Sequence, residues 1–249
     1  MNTPQPPTNT RIVQLREGIL KKNDLLAREL RADFHAKGIF VVNIVSSPGS
    51  GKTELLKETL RLLIARTPYH IAALVGDLAT DNDAQRLAAS GARVKQITTG
   101  TMCHLEAEMI RTSLENWDTG DLDVLFIENV GNLVCPSSYD LGENIRVVAL
   151  SVTEGEDKPL KYPTIFNSAD VAVITKIDIA QAVEFDRETA VRNIREIRPT
   201  ISVFEVSAKS AQGMDTWLDF LIQSIEAFRD KNAHEAMHRS HEEHESTFA

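Results

Sequence analysis

The sequence predicts an α/β fold in which a mostly parallel β-sheet is sandwiched by helices. Three observations predict it. Strand-like apolar runs alternate with segments of helical spacing from residue 38 onward, which is the signature of repeated strand–helix units. The run at 39–45, I-F-V-V-N-I-V, is nearly continuously apolar, as expected of a parallel strand covered on both faces. That run passes through S-S-P-G-S-G into K-T-E-L-L, so a glycine-containing loop joins a strand to a helix. Sheets of this kind place their sites at the carboxyl ends of the strands.

Taken in order, residues 1–10 are polar and proline-rich and are expected to be disordered. Ile12, Leu15, Ile19, Leu26, Leu30 and Phe34 recur at helical spacing and predict a helix over 11–36, ended by Gly38. A helix over 52–65 follows the loop. Further strands are expected at 70–75, 94–97, 122–127, 145–152, 171–175 and 202–206. They are interleaved with helices at 83–90, 104–117 and 183–197, and the last core helix covers 214–228. The chain thus divides into an N-terminal tail and amphipathic helix (1–37), the α/β domain (38–228) and a polar tail (229–249). The tail carries His234, His238, His241 and His244 among acids and is expected to be frayed or flexible. Its histidines, on a helix, would share one face and suit loose nickel binding, the alternative being a tail that is simply polar and solvated.

Composition narrows the class. At 249 residues, 42% hydrophobic and 25% charged, the chain can bury a sizeable core. A net charge of −9 with no basic stripe argues against nucleic acid as a partner. No apolar stretch approaches the ~20 residues that span a bilayer, and the start lacks a secretion signal. Two cysteines, Cys103 and Cys135, do not make a disulfide framework. These features together point to the reducing cytoplasm.

The stretch Gly51-Lys52-Thr53 closes like a phosphate-binding P-loop, although G-x-x-x-x-G-K-[ST] asks for glycine where the chain has Ser46. Gly49, Ser50 and Gly51 let backbone N–H groups face phosphates, and the helix start, with Glu54 in its first turn, adds a favourable dipole. Lys52 is placed to reach the outer phosphates, and the Thr53 hydroxyl to bind Mg²⁺. Four later segments fall at the ends of expected strands. Asp77 can hold Mg²⁺ or its waters beside Thr53 and orient the attacking water. Glu128-Asn129-Val130-Gly131 resembles D-x-x-G with Glu for Asp, a carboxylate facing the metal and a glycine amide sensing the γ-phosphate. Thr175-Lys176-Ile177-Asp178 and Ser207-Ala208-Lys209 resemble the N-K-x-D and S-A-K elements of GTPases. Asp178 would accept from guanine N1 and its exocyclic amine, which adenine does not offer in that pattern. Lys176 would cover the base, and the Ala208 amide would donate to O6. Thr175 for Asn is expected to weaken one hydrogen bond. Lys52, Asp77 and Glu128 are the candidate catalytic groups, and GTP or GDP the nucleotide.

Cys103 and His104 are adjacent, and Cys135 follows Gly131 by four positions. Thiolate and imidazole suit Ni²⁺ and Zn²⁺. The fourth ligand is open between water, Glu106 and a second subunit. Two buried cysteines and a capping histidine would be ordinary core chemistry, but Cys135 comes directly out of the segment expected to sense the γ-phosphate. A ligand there would move with nucleotide state, and metal affinity with it.

S-S-P-G-S-G-K-T, G-D-L-A-T-D-N-D-A-Q-R, C-H-L-E-A, E-N-V-G-N-L-V-C-P and T-E-G-E-D-K-P-L-K-Y-P together resemble the hydrogenase nickel-incorporation GTPase family HypB, over about residues 11–228. The resemblance implies a P-loop GTPase of the SIMIBI class, which forms a homodimer in response to GTP. It implies delivery of nickel to the large-subunit precursor of [NiFe]-hydrogenase, with a HypA-type accessory protein as partner. It maps an interface metal site onto Cys103, His104 and Cys135, and an acidic switch onto Asp77 with Asp83 and Glu128 nearby. Two departures are expected to matter: the N-terminal cysteine motif and the histidine-rich stretch of some members are missing here. Lys158 or Lys161 would act across a dimer interface. The rival readings are a urease-type nickel GTPase, whose metal motif is Cys-x-His, and a nickel or zinc storage protein with structural nucleotide. A third, a GTPase serving cobalamin enzymes, is disfavoured by the two cysteines.

Overall fold

The structure, a computed structural model, describes residues 9–77, 82–115 and 117–246. Its strands are β1 (Phe40–Ser46), β2 (Ile71–Asp77), β3 (Arg93–Thr98), β4 (Val124–Gly131), β5 (Ile145–Ser151), β6 (Val171–Thr175) and β7 (Ser202–Glu205). They form one sheet in the order β3-β2-β4-β1-β5-β6-β7. Every pairing is parallel, so the sheet is wholly rather than mostly so. The helices are α1 (Asn9–Lys37), α2 (Lys52–Arg66), α3 (Asn82–Ala88), α4 (Ala107–Glu115), α5 (Lys158–Lys161), α6 (Pro163–Ser168), α7 (Arg187–Ile197) and α8 (Met214–Ser246).

All seven residues of β1 are buried, because the strand lies inside the sheet with helices on both faces. Its side chains alternate between layers, as the two-residue period of a strand requires. Phe40, Val42 and Ile44 join Leu56, Leu60 and Trp217 under α2 and α8. Val41 packs with Leu30 and Ile110 under α1 and α4, and Val45 with Ile165 and Ile194 under α6 and α7. Each fully buried leucine or isoleucine in these layers contributes about 1.5–3 kcal/mol. Trp217 is fully buried and satisfies its indole N–H on Thr59 Oγ1 at 3.0 Å.

Five helices differ from expectation. Helix α4 starts at Ala107, not at 104, because the amides of Leu105 and Ala107 are taken by Asn129 Oδ1 (3.1 Å) and Asn23 Oδ1 (2.9 Å). Helices α5 and α6 carry Pro159 and Pro163 in their first two positions, where proline costs no hydrogen bond. Helix α7 starts at Arg187, capped by the Asp186 carboxylate accepting from Thr189 N at 3.0 Å. Helix α8 continues without a break past residue 228 to Ser246. Asn9 and Thr10 open α1, and the rest of the expectation for 1–10 lies outside the described residues, as do the side chains of His238, His241 and His244. Among the described residues, no helix is long and apolar enough to cross a membrane.

Candidate nucleotide and metal site

β1 is flanked by β4 and β5, with chain running outward on both sides, so the loop leaving β1 sits at the switch in strand order. Ser46 ends β1 beside Gly131 of β4 and Ala149 of β5. Small neighbours leave room for its side chain, and its hydroxyl donates to Ser47 O at 2.8 Å, which accounts for serine where the motif asks for glycine. Gly49 (φ 75°) and Gly51 (φ 87°) are left-handed, a conformation glycine adopts without penalty. Gly51 is the N-cap of α2.

The loop closes around a cavity of about 420 Å³ lined by Ser47–Glu54 with Gly76, Asp77, Asp83, Arg86, Val130, Gly131 and Lys176. Beneath it lies Glu128, 1% exposed, whose Oε1 accepts from Lys52 Nζ at 2.7 Å and from Thr53 Oγ1 at 2.6 Å. Its other oxygen, Oε2, is buried with no hydrogen-bond partner among the described residues, and so is Ser50 Oγ. A buried carboxylate oxygen left over beside a P-loop hydroxyl fits a divalent cation or its waters. Gly131 closes one wall so tightly that a Cβ there would stand 3.0 Å from Pro48 Cα.

A second cavity, about 280 Å³, adjoins the first through Gly51, Glu54 and Lys176, and is completed by Leu55, Thr175, Asp178, Ile179, Val206, Ser207, Ala208 and Lys209. Its walls are largely aliphatic with Asp178 at one side, which suits a flat base with a polar edge. Thr175 Oγ1 donates to Ser50 O at 2.5 Å and Lys176 Nζ to Gly49 O at 2.7 Å. Threonine thus ties the base loop to the phosphate loop. Every expected nucleotide residue falls on one of these two cavities or, for Glu128, directly beneath. Lys158 and Lys161 do not; they pair locally with Glu154 (3.4 Å) and Asp157 (2.6 Å).

The thiols of Cys103 and Cys135 lie 2.9 Å apart, beyond any disulfide bond length, and form no disulfide. His104 Nδ1 is 3.9 Å from Cys103 Sγ, and the three ligand atoms lie within 4.8 Å of one another. Three contacts hold this cluster near the nucleotide cavities. Leu105, fully buried, covers Gly76 so closely that a Cβ there would be 2.8 Å from Leu105 Cγ. Its amide is the one held by Asn129, next to Glu128, and Asn132 Nδ2 donates to Cys103 O at 3.2 Å. Asp140, close beyond Cys135, is tied to α1 by Arg31 at 2.7 Å. Burial works against its charge, but the Arg31 guanidinium and the Gly142 amide hold its carboxyl below the ordinary carboxylate value.

Sequence reasoning missed Arg86, Asn129 and Tyr139. Arg86 stands in the D-N-D-A-Q-R stretch, three residues after Asp83, with which it pairs at 3.6 Å. Asn129 is inside a motif whose outer residues alone were weighed. Tyr139 stacks on His104 with 3.9 Å between centroids, and only its place four residues beyond Cys135 hinted at it.

The family model described as "CobW/HypB/UreG, nucleotide-binding domain" matches residues 40–205. A hydrogenase maturation factor HypB from Azotobacter chroococcum mcd 1 is 48% identical over 214 residues, covering 86% of this chain and 70% of the relative. The chain belongs to the HypB family. A HypB of Helicobacter hepaticus, described as a hydrogenase/urease maturation factor, is 43% identical over 222 residues, covering 88% of this chain and 90% of its own. The crystal structure of Helicobacter pylori HypB in complex with nickel superposes with a TM-score of 0.77 at 39% identity, over 83% of this chain and 96% of that one. The P-loop GTPase fold and the HypB assignment of this chain therefore rest on both sequence and structure.

Proposed function

We propose that this HypB-family chain is a GTP hydrolase that carries nickel on Cys103, His104 and Cys135 and releases it to a [NiFe]-hydrogenase precursor as GTP is hydrolysed. One observation carries the reading: the two sites share connectors. Cys135 leaves the segment of Glu128 and Gly131, while Cys103 and His104 hang on Leu105, which is gripped by Gly76 and Asn129, the chain neighbours of Asp77 and Glu128. A shift of either strand end on loss of the γ-phosphate changes the spacing of the ligands.

Lys52 and the loop amides neutralise charge on the transferred phosphoryl group. Thr53 and Asp77 would hold Mg²⁺, with Glu128 behind them; bound there, the ion supplies charge neutralisation of the phosphates. Asp77 orients the attacking water, and the Gly131 amide senses the γ-phosphate. Asp178, Lys176, Ala208, Ser207 and Lys209 select guanine. Zn²⁺ suits the same sulfur–nitrogen donors as Ni²⁺. Family membership supports a GTP-dependent homodimer and a HypA-type partner, and cysteines read as ligands instead of as a disulfide suit the cytoplasm. A second target is favoured by the Helicobacter hepaticus relative described as serving urease as well.

The test is nickel release from the loaded protein to a coloured chelator. GTP should release nickel in step with phosphate, and a non-hydrolysable analogue or Lys52→Ala should not. Phosphate release with nickel retained would refute the coupling.

A further inference from the structure

We propose that Glu106 is a positioning residue of the metal site, fixing the tautomer and orientation of His104 instead of serving as the fourth ligand. The proposal rests on reading Cys103, His104 and Cys135 as metal ligands. His104 Nε2 lies 3.2 Å from Glu106 Oε1. An ionised carboxylate only accepts hydrogen bonds, so this contact puts the ring hydrogen on Nε2. In the neutral imidazole the lone pair then belongs to Nδ1, the nitrogen that faces Cys103 Sγ. Glu106 is thereby occupied at the opposite nitrogen from the one turned to the sulfur. A carboxylate behind a ligating imidazole fixes the ring and raises its basicity.

A second constraint acts on the face of the same ring. Tyr139 stacks on His104 at a tilt of 33°. Tyr139 is itself held, its carbonyl accepting from Arg146 Nη2 at 2.7 Å, while Arg146 Nε donates to the buried Glu143 at 2.7 Å. The imidazole, 12% exposed, is therefore gripped at one edge by a carboxylate and on one face by an aromatic ring. Tyr139 lies just past the short helix Cys135–Ser138 that carries the second thiol. Movement of that segment takes away a ligand and the clamp on another together. Three protein ligands remain, and the fourth position is left to a donor other than Glu106.

The test is nickel titration with nickel-edge X-ray absorption on the full chain as wild type, Glu106→Gln, Glu106→Ala and Cys103→Ala. Glu106→Ala should weaken nickel binding about 10–100-fold and diminish the imidazole scattering signal. Glu106→Gln, whose amide oxygen accepts the same hydrogen bond, should keep both close to wild type. Wild-type affinity and signal in Glu106→Ala would overturn the proposal. So would a Glu106→Gln protein that falls with the alanine variant and loses an oxygen scatterer, the result expected of a direct ligand. Nickel binding undiminished in Cys103→Ala would overturn the site reading itself, whereas its loss there with Glu106→Ala unaffected overturns this proposal alone.

Discussion

Lys52 and Cys103 stand at the two poles of the site, and their substitutions should separate. Lys52 lines the phosphate cavity and reaches Glu128, so Lys52→Ala should lower GTP hydrolysis by at least 10²-fold in a phosphate-release assay, the scale of removing one charge-stabilising donor. Cys103→Ala, assayed without metal, should keep its turnover; a comparable loss there would mean that the thiols serve the hydrolytic site. Asp178 faces the aliphatic cavity with no other carboxylate at that wall except Glu54. Asp178→Asn should reduce GTP affinity and raise that for xanthosine triphosphate, whose base exchanges an amine donor for a carbonyl. Competition binding that leaves the preference for GTP unchanged would remove Asp178 from base recognition. Ser46 and Thr175 show that single departures from a motif are readable once their neighbours are known: each keeps the link needed, through small strand partners in one case and a hydroxyl bond to Ser50 in the other.

At the scale of elements, the segments that matter most are the ends of β2 and β4 and the loop 103–106. From residue 104 this loop was expected to be helix. It is not, because the amides that would start the helix are claimed by Asn129 and Asn23, 24 and 84 residues away, and no local pattern announces such long-range partners. The inner strands β1 and β4 were legible because burial on both faces leaves a nearly continuous apolar run. Helices α5 and α6 were hidden by prolines that read as loop yet sit where a helix tolerates them. Asn129 supports a prediction at this scale. Its Oδ1 accepts from both Leu105 N and Val130 N (3.0 Å) in a fully buried setting. Asn129→Ala should cost about 1–3 kcal/mol of stability, from donors left unpaired, visible as a lower thermal midpoint. It should also bring the nickel affinities measured with GDP and with a GTP analogue together. Undiminished nucleotide dependence in this variant would show that Leu105 does not transmit.

For the whole molecule, the arrangement is a parallel sheet with both candidate sites beyond the carboxyl ends of its strands. The three hydrophobic layers pack β1 from both sides, so binding energy at the P-loop is not spent on deforming the core. It is available to the strand ends and the loops beyond them. The nucleotide half of this end of the sheet could be read from the sequence, since its motifs are local and ordered along the chain. The metal half could be read only as three residues of suitable chemistry. That their ligand atoms converge within 4.8 Å, and that Tyr139 and Glu106 brace the imidazole, depends on packing between β3–α4 and β4–β5 connections. On the function proposed above, these halves are one device, with a coupling free energy between nucleotide and metal. The most direct measurement is nickel titration of the purified protein, first with GDP and then with a non-hydrolysable GTP analogue, following bound metal and molecular mass together. Coupling of the two sites predicts nickel dissociation constants that differ by about 5–150-fold, the range of ordinary allosteric coupling, with a shift to dimer mass in the analogue-bound form. Equal nickel affinities in the two nucleotide states would contradict it.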